Sequence, residues 1–128
     1  MIYGIGVDLV YIPRVMKLLE RWGERFRQRI FTEREIKYSF SKKLFQYELA
    51  ARIGAKEAFA KALGLGWRQG LRWKDVEVVN LNTGQPVLNL YGRAQEICNE
   101  IGIKNCFVSL THDRDYAVAV VILEKFSS

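Results

Sequence analysis

One predicted helix carries two charged residues whose types and spacing could serve chemistry. Residues 52–64 are rich in alanine and end in glycine, a pattern typical of a helix and its C-terminus. Glu57 and Lys61 are four residues apart, so their side chains share one face of this helix. The pair is either an exposed surface bridge worth about 0.3–0.5 kcal/mol, or a carboxylate that holds a divalent metal beside a lysine that meets a phosphate.

A second acid is available in the first predicted strand. Residues 2–10 form a short apolar run rich in β-branched residues, and Asp8 is its single charged residue. A buried carboxylate without a partner costs several kcal/mol, so Asp8 should be hydrogen-bonded, paired or metal-bound, or lie at an exposed strand end. A capping aspartate near the end of the strand is the structural alternative. Asp8 is nevertheless the candidate for the second ligand that a metal at Glu57 would need.

Length and composition predict a single ordered domain, residues 1–128. The chain is 49% hydrophobic and contains no low-complexity run, so disorder is expected only at the ends. Twenty Lys and Arg against 14 Asp and Glu leave a formal charge of +6, which indicates anionic partners. The N-terminus lacks a signal-peptide pattern and no apolar run approaches the roughly 18 residues of a membrane helix, so we expect a soluble, cytoplasmic protein.

The periodicity of apolar residues predicts a succession of helices and strand hairpins along the chain. Thr32 and Glu35 form a capping-box pattern at the start of a short helix. The last predicted strand is continuously apolar and is therefore expected at the centre of its sheet. The predicted elements are a strand at 2–10, helices at 13–23, 32–40 and 44–63, a hairpin of strands 75–81 and 87–90, a helix at 92–102, and a hairpin of strands 106–112 and 116–123.

A basic stripe accompanies the first predicted helix. Its members are spaced three, four and four residues apart, and they are Arg14, Lys17, Arg21 and Arg25. A solvated helix face is the structural interpretation. The alternative is a docking surface for an acidic partner helix or a phosphate backbone.

Two further sets of polar residues are candidates for function. His112 is the only histidine, and with Ser109 and Thr111 it lies near a predicted strand end where three donors could meet a phosphate. A lone histidine is, however, more often structural than catalytic. Cys98 and Cys106 are too few and wrongly spaced for a zinc site, so we expect buried free cysteines.

Three separated motifs together resemble a known family. They are Ile5-Gly6-Val7-Asp8, the run from Ala55 to Gly64, and Ser109-Leu110-Thr111-His112 followed by Tyr116-Ala117-Val118-Ala119. In order and spacing they resemble the holo-(acyl-carrier-protein) synthase family, the short bacterial type of 4′-phosphopantetheinyl transferase. The resemblance implies a small α+β domain with an antiparallel sheet packed against a long helix, assembled as a homotrimer with active sites between subunits.

The resemblance also implies a reaction. In that family an enzyme-bound Mg²⁺ holds the diphosphate of coenzyme A, a serine of apo-acyl carrier protein attacks the β-phosphorus, and 3′,5′-ADP leaves. By the motif, Asp8 and Glu57 would be the metal ligands, and Glu57 would help to deprotonate the serine directly or through water. Lys61 would neutralise charge on the diphosphate. A site of one or two carboxylates plus phosphate oxygens is typical of Mg²⁺.

Further cofactor contacts follow from the same resemblance. Lys43, Arg52 and His112 match positions that meet the 3′-phosphate of coenzyme A. Gly64 and Gly66 match glycines at which the backbone comes close to the cofactor. The remaining cofactor-binding residues that the resemblance implies are Gly84 and Pro86 in a hairpin turn, and Ser109 and Thr111 in a segment that reaches a neighbour's cofactor.

The implied partners are acyl carrier protein, coenzyme A and further copies of the chain, with neither nucleic acid nor a membrane. The basic stripe matches the helix that docks the acidic recognition helix of acyl carrier protein. Two alternatives remain from the residues alone. A Mg²⁺-dependent nuclease would also use paired acids and a lysine, although its usual lysine follows the acid by two residues on a strand. A non-catalytic nucleic-acid-binding module would need neither Asp8 nor Glu57.

Overall fold

The computed structural model describes residues 1–127. Four helices follow the first strand, and two strand hairpins separated by a helix complete the chain; most elements begin and end within two residues of the predicted bounds. In order, the elements are β1 (Ile2–Tyr11), α1 (Ile12–Trp22), α2 (Glu24–Ile30), α3 (Glu33–Phe40), α4 (Phe45–Leu63), a 3₁₀ turn (Trp73–Asp75), β2 (Val76–Asn80), β3 (Pro86–Leu90), α5 (Gly92–Ile101), β4 (Ile103–Asp113) and β5 (Tyr116–Lys125).

The strands form two antiparallel sheets. The larger has the order β1-β5-β4, so the continuously apolar β5 is its central strand, as the sequence predicts. Asp8 on β1 and Leu110 on β4 are both paired with Ala119 of β5, which defines the register across the sheet. Strands β2 and β3 form a separate hairpin. The predicted α+β class, with an antiparallel sheet packed against the long helix α4, is confirmed.

Helix α4 packs directly against β1 because two glycines let the backbones approach. A Cβ atom added at Gly4 or Gly6 would overlap the carbonyl oxygen of Ala62 or Ala58. The alanines on this side of α4 are equally small and are buried. Close approach of these two elements brings the side chain of Asp8 to the same place as the middle of α4.

The main core lies between α4, the large sheet, the β2–β3 hairpin and α5. Helix α4 is buried on most of its surface, as expected of a helix enclosed by several elements. The predicted stripe of Phe59, Ala62 and Leu63 is buried. Gly64 ends the helix with φ 80°, the left-handed conformation that a C-terminal glycine provides.

The structure corrects the prediction for the basic stripe. Gly23 has φ 51°, and its N–H caps the carbonyl of Leu19, so α1 ends at Trp22. A separate helix α2, which the periodicity did not predict, follows from Glu24 to Ile30. Arg25 therefore lies on a different helix from the other members of the stripe.

Smaller differences concern Asp75 and the cysteines. Asp75 belongs to a 3₁₀ turn, so β2 begins one residue later than predicted. Cys98 is a buried free cysteine, as expected, whereas Cys106 is only partly buried. Across residues 1–127, none of the helices combines the length and the apolar character needed to cross a membrane.

Candidate active site

Asp8, Glu57 and Lys61 meet where β1 crosses α4. The Lys61 ammonium donates a hydrogen bond to Asp8 Oδ1 at 2.9 Å and another to the carbonyl of Val7 at 3.1 Å. The expected alternative of a surface bridge between Glu57 and Lys61 is wrong, because the ion pair of Lys61 is made with Asp8. Within the described part of the chain, Glu57 forms no ion pair.

The positions of these three residues follow from local structure. Side chains alternate across a strand, and Asp8 lies on the side of β1 that faces α4, with only 16% of its side chain exposed. The helical repeat brings Glu57 and Lys61 to one face of α4, and the small neighbours of Lys61 allow close contact with β1. Lys61 is more exposed than Asp8, so its ammonium covers the carboxylate from the solvent side.

The three residues border a cavity of about 570 Å³ between β1, α4 and the first two helices. Its other charged walls are Arg14 and Arg29, and no sequence pattern had singled out Arg29. The remaining walls are largely apolar, and they are Leu9, Val10, Tyr11, Val15, Leu18, Phe26, Ile30, Ile53 and Trp73. Two carboxylates flanked by three cations suit a metal ion together with an anionic ligand.

Burial raises the pKa of the Glu57 carboxyl above its ordinary value. The Trp67 indole N–H lies close enough to oppose this shift, although it completes no hydrogen bond among the described residues. The negative charge of Asp8 raises the pKa further, and the positive charge of Lys61 lowers it. Glu57 is therefore a carboxylate whose negative charge is only partly compensated.

The donor set fits Mg²⁺. A divalent cation between Asp8 and Glu57 would relieve the repulsion that raises the pKa of Glu57. Among residues 1–127 no group of three or more His, Cys, Asp or Glu side chains could hold a metal. Two carboxylates suffice for Mg²⁺, which keeps water and takes phosphate oxygens as its other ligands. A structural zinc site would require four protein ligands.

Arg52, a predicted phosphate contact, is almost completely buried in this structure. Its guanidinium donates hydrogen bonds to Asn80 Oδ1 at 2.6 Å and to Glu48 Oε1 at 3.2 Å. It also stacks 4.7 Å from the ring centroid of Tyr38. Its Nε atom has no partner in the described part of the chain. Contact between Arg52 and a phosphate remains a prediction.

Several other predicted cofactor contacts meet at a second, smaller cavity of about 180 Å³. Gly84 and Pro86 of the β2–β3 turn line it together with Thr111 and His112 of β4. The His112 ring stacks on Tyr47, with 4.3 Å between ring centroids. These four predicted residues are therefore neighbours, although they are far apart in sequence.

The two cavities lie at opposite edges of the large sheet. Asp8 belongs to the edge strand β1, whereas Thr111 and His112 belong to the other edge strand, β4, with β5 between them. Ser109 points outward from the sheet and lines neither cavity. Within one chain, the predicted metal-binding residues and the predicted cofactor contacts of β4 therefore lie at two separate cavities.

The remaining predicted residues lie on the surface. Gly64 and Gly66 both have positive φ, 80° and 62°, and open space on the side where a Cβ would project. Lys43 is exposed in the turn before α4. None of these three lines either cavity. The basic stripe is exposed as well, with Arg14 at the cavity edge and Arg21 stacked 5.1 Å from the ring centroid of Trp22.

The sequence analysis missed the roles of two buried charged residues. Lys56 and Glu35 are each fully buried and form an ion pair of 2.8 Å. The capping box identified Glu35 only as a helix cap. The signal for Lys56 was its place three and seven residues before Phe59 and Leu63, on the stripe predicted to be buried.

Comparison with known proteins places this geometry in a family. The model of the 4′-phosphopantetheinyl transferase superfamily matches residues 4–121. A holo-[acyl-carrier-protein] synthase of Geobacter sp. (strain M21) is 50% identical over 125 residues, which are 98% of this chain and 100% of that protein. The crystal structure of holo-[acyl-carrier-protein] synthase from Neisseria meningitidis aligns with a TM-score of 0.90 and 35% identity, covering 98% of this chain and 100% of that chain.

A structure with a bound cofactor is also similar. The Helicobacter pylori holo-[acyl-carrier-protein] synthase in complex with coenzyme A has a TM-score of 0.83 and 28% identity, covering 94% of this chain and 99% of that chain. The chain belongs to the 4′-phosphopantetheinyl transferase superfamily, and within it to the holo-[acyl-carrier-protein] synthases. The resemblance carried by the three sequence motifs is confirmed.

Proposed function

We propose that this protein transfers the 4′-phosphopantetheine group from coenzyme A to a serine of apo-acyl carrier protein, giving holo-acyl carrier protein and 3′,5′-ADP. The observation that carries the proposal is the meeting of Asp8, Glu57 and Lys61 at the edge of one cavity. The names of the relatives and the coenzyme A complex of the Helicobacter pylori protein support it. We further propose a cytoplasmic location, which the free thiols of Cys98 and Cys106 support.

Asp8 and Glu57 would hold Mg²⁺ on its protein side. When bound, the ion would neutralise negative charge on the diphosphate and orient its phosphate oxygens. The exposed ammonium of Lys61, which is bonded to Asp8 in this structure, would then also donate a hydrogen bond to a diphosphate oxygen. Arg14 and Arg29 at the cavity edge would attract the same anionic ligand.

Asp8 is paired with Lys61, whereas Glu57 forms no ion pair among the described residues, so Glu57 is the carboxylate left to accept a proton. We assign it the proton of the serine hydroxyl, taken directly or through a water molecule. The serine oxygen then bonds to the β-phosphorus, and the bond from that phosphorus to the oxygen it shares with the α-phosphate breaks. 3′,5′-ADP departs with the negative charge. No nucleophile from the protein is needed.

A homotrimer would bring the two cavities of different copies together. The outer face of the large sheet carries Ile5, Val7 and Leu9, whose exposed fractions are 60%, 56% and 63%. Each of these residues is paired across the sheet with a partly exposed Val or Ile of β5. That β5 residue is paired in turn with a residue of β4, namely Phe107, Ser109 or Thr111. An exposed apolar face of this extent is typical of an interface between proteins. Three copies packed through it would let His112 of one copy approach Asp8 of another.

The basic stripe begins at the edge of the cavity that contains Asp8. Arg14 reaches the cavity itself, and Lys17 and Arg21 continue along α1. We propose this face as the docking surface for the acidic carrier protein, whose serine must enter the cavity. Arg25 would contribute from α2 rather than from the same helix.

The release of 3′,5′-ADP tests the reaction class. The protein is incubated with coenzyme A and Mg²⁺, with or without apo-acyl carrier protein, and the nucleotides are separated by chromatography. We expect 3′,5′-ADP only when the carrier is present, and none with a carrier whose acceptor serine is replaced by alanine. Release of 3′,5′-ADP without any carrier would indicate a phosphohydrolase and contradict transfer.

A further inference from the structure

Lys56 is a fully buried lysine beside the candidate active site. Its ammonium donates hydrogen bonds to Glu35 Oε1 at 2.8 Å, to the Trp73 carbonyl at 3.1 Å and to the Val76 carbonyl. An ammonium has three donors, and all three are used here. The side chain therefore has one defined direction and no spare donor for a ligand.

Glu35 is equally buried, and both of its carboxylate oxygens accept hydrogen bonds. Its Oε1 atom also accepts the backbone N–H of Thr32 at 3.0 Å, and its Oε2 atom accepts the N–H of Val78 at 2.9 Å. The ion pair thus ties α4 to the start of α3, to the 3₁₀ turn and to β2. Of these elements, α3 and β2 also pack against α4.

Glu57 follows Lys56 directly, about 100° further around the helix. If Lys56 is held inward at three points, α4 cannot rotate about its axis, and the direction of Glu57 is fixed. The same pair holds the wall next to Glu57, because Trp73, whose carbonyl Lys56 binds, also lines the cavity. Trp73 stacks on Trp67 with 4.0 Å between ring centroids, and the Trp67 indole lies near Glu57.

Stability alone is a weak reason for such a pair. Removing two charges from water is costly, and replacement of a buried ion pair by apolar residues of similar size is often neutral or stabilising. Hydrogen bonds in fixed directions, in contrast, give a unique rotation of α4 that an apolar contact would specify less strictly.

We propose that the Lys56–Glu35 pair is a positioning device that fixes the rotation of α4 and so directs the Glu57 carboxylate into the cavity. This inference rests on the proposed function, in which Glu57 binds metal and accepts the serine proton. Neither Lys56 nor Glu35 touches the substrate. Both act through Glu57 and through the Trp73 wall.

The double variant Glu35→Leu/Lys56→Met tests this role because it removes both charges together and leaves neither one unpaired. Loss of outer contacts to metal-binding residues typically costs about 10–100-fold in activity or metal affinity. We therefore expect kcat to fall by about that factor, with KM for carrier protein within about twofold. The affinity for Mn²⁺ alone, measured by electron paramagnetic resonance, should fall in parallel.

Glu77→Gln is the matched control, since Glu77 is a buried carboxylate of β2 that shares Thr32 with Glu35 but makes no hydrogen bond to α4 among the described residues. It should lower stability and leave kcat and Mn²⁺ affinity unchanged. Lys56→Gln is a second variant, which leaves the Glu35 charge without its counter-ion but keeps one hydrogen-bond donor within reach of it. Its kcat should lie between those of the wild type and the double variant, and it decides the question if the double variant does not fold.

The outcomes distinguish a failure of the positioning role from a failure of the proposed function. The positioning role alone is overturned if the folded double variant has the kcat and the Mn²⁺ affinity of the wild type. The same result for Lys56→Gln overturns it if the double variant does not fold. An equal fall of kcat in Glu77→Gln makes the pair merely structural and also overturns it. A wild-type protein that neither transfers nor binds Mn²⁺ overturns the proposed function, and the inference with it.

Discussion

The Lys61 ammonium lies 2.9 Å from the Asp8 carboxylate, on an element 53 residues away in sequence, rather than beside Glu57 on its own helix. This pairing divides the charges of the site. Asp8 is compensated by a lysine, while Glu57 retains a raised pKa and a charge that burial makes unfavourable. The site is therefore prepared for one more positive charge. A divalent cation bound between the two carboxylates would supply it.

Glu57→Gln should abolish transfer and yet stabilise the metal-free protein. A carboxyl whose pKa is raised in the folded state binds its proton more tightly there than in the unfolded chain. Its contribution to stability therefore falls as the pH rises through the interval above the ordinary pKa of 4.5. The uncharged amide removes this penalty, so the melting temperature at pH 7 in EDTA should be higher than that of the wild type.

The same variant tests the metal assignment. Mg²⁺ should raise the melting temperature of the wild type, because a ligand that binds only the folded state stabilises it. It should not raise that of Glu57→Gln or Asp8→Asn. Glu20→Gln, an exposed acid on α1, is the control and should respond like the wild type. An equal response of all four proteins to Mg²⁺ would place the metal elsewhere.

Arg21→Glu should raise KM for acyl carrier protein about tenfold at low salt and leave coenzyme A binding unchanged. The arginine is exposed on α1 and lines neither cavity, so its charge can act on the carrier alone. Arg14→Glu should have a similar effect on the carrier. Steady-state kinetics with each substrate varied in turn provide the measurement, and Lys104→Glu on β4 is the control. A parallel loss for both substrates in Arg21→Glu would mean that the stripe is structural.

Val7→Glu should dissociate the assembly. Val7 is 56% exposed in the middle of β1 on the outer sheet face, where a buried, unpaired carboxylate would be costly in a trimer. Sedimentation should then give a mass near the 14.9 kDa of one chain instead of about three times that value. The transfer activity of Val7→Glu should be lost together with the trimer. Leu81→Glu, at an exposed leucine of the β2–β3 turn, is the control and should change neither the mass nor the activity. A Val7→Glu protein that still sediments as a trimer would exclude this face as the interface.

The acid stability of the fold should depend on Glu77. Burial alone would raise the pKa of Glu77, but hydrogen bonds donated by Thr32, Tyr91 and Asn89 and the charge of Arg34 outweigh it and lower the pKa. A depressed pKa gives stability that is present above the unfolded value and is lost as the pH falls through the folded value. Urea unfolding from pH 7 to pH 3 should therefore show a steeper loss for the wild type than for Glu77→Gln. Identical pH profiles would contradict this assignment.

Local patterns predicted much of this fold. The capping box of Thr32 and Glu35, the C-terminal Gly64 and the central strand β5 depend on residues close in sequence, and the structure has all three. The motifs also selected Asp8, Glu57 and Lys61, which lie together. Helix α2 was missed because the break at Gly23 depends on one backbone conformation that the apolar period does not report.

Contacts between distant segments could not be predicted in the same way. The pairing of Lys61 with Asp8 and that of Lys56 with Glu35 join residues 53 and 21 positions apart. Such pairings depend on how α4 packs between the sheet and the β2–β3 hairpin. The distance between Asp8 and His112 across the sheet likewise follows only from the strand order. It is this order that leads us to expect a second copy of the chain at the site.

The intact mass of apo-acyl carrier protein after incubation with this protein, coenzyme A and Mg²⁺ tests the central claim most directly. We predict a gain of about 340 Da, the mass of one phosphopantetheine group, which disappears with EDTA and with Glu57→Gln. A carrier that keeps its apo mass under conditions in which the wild-type protein is folded and metal-loaded would contradict the proposed transfer.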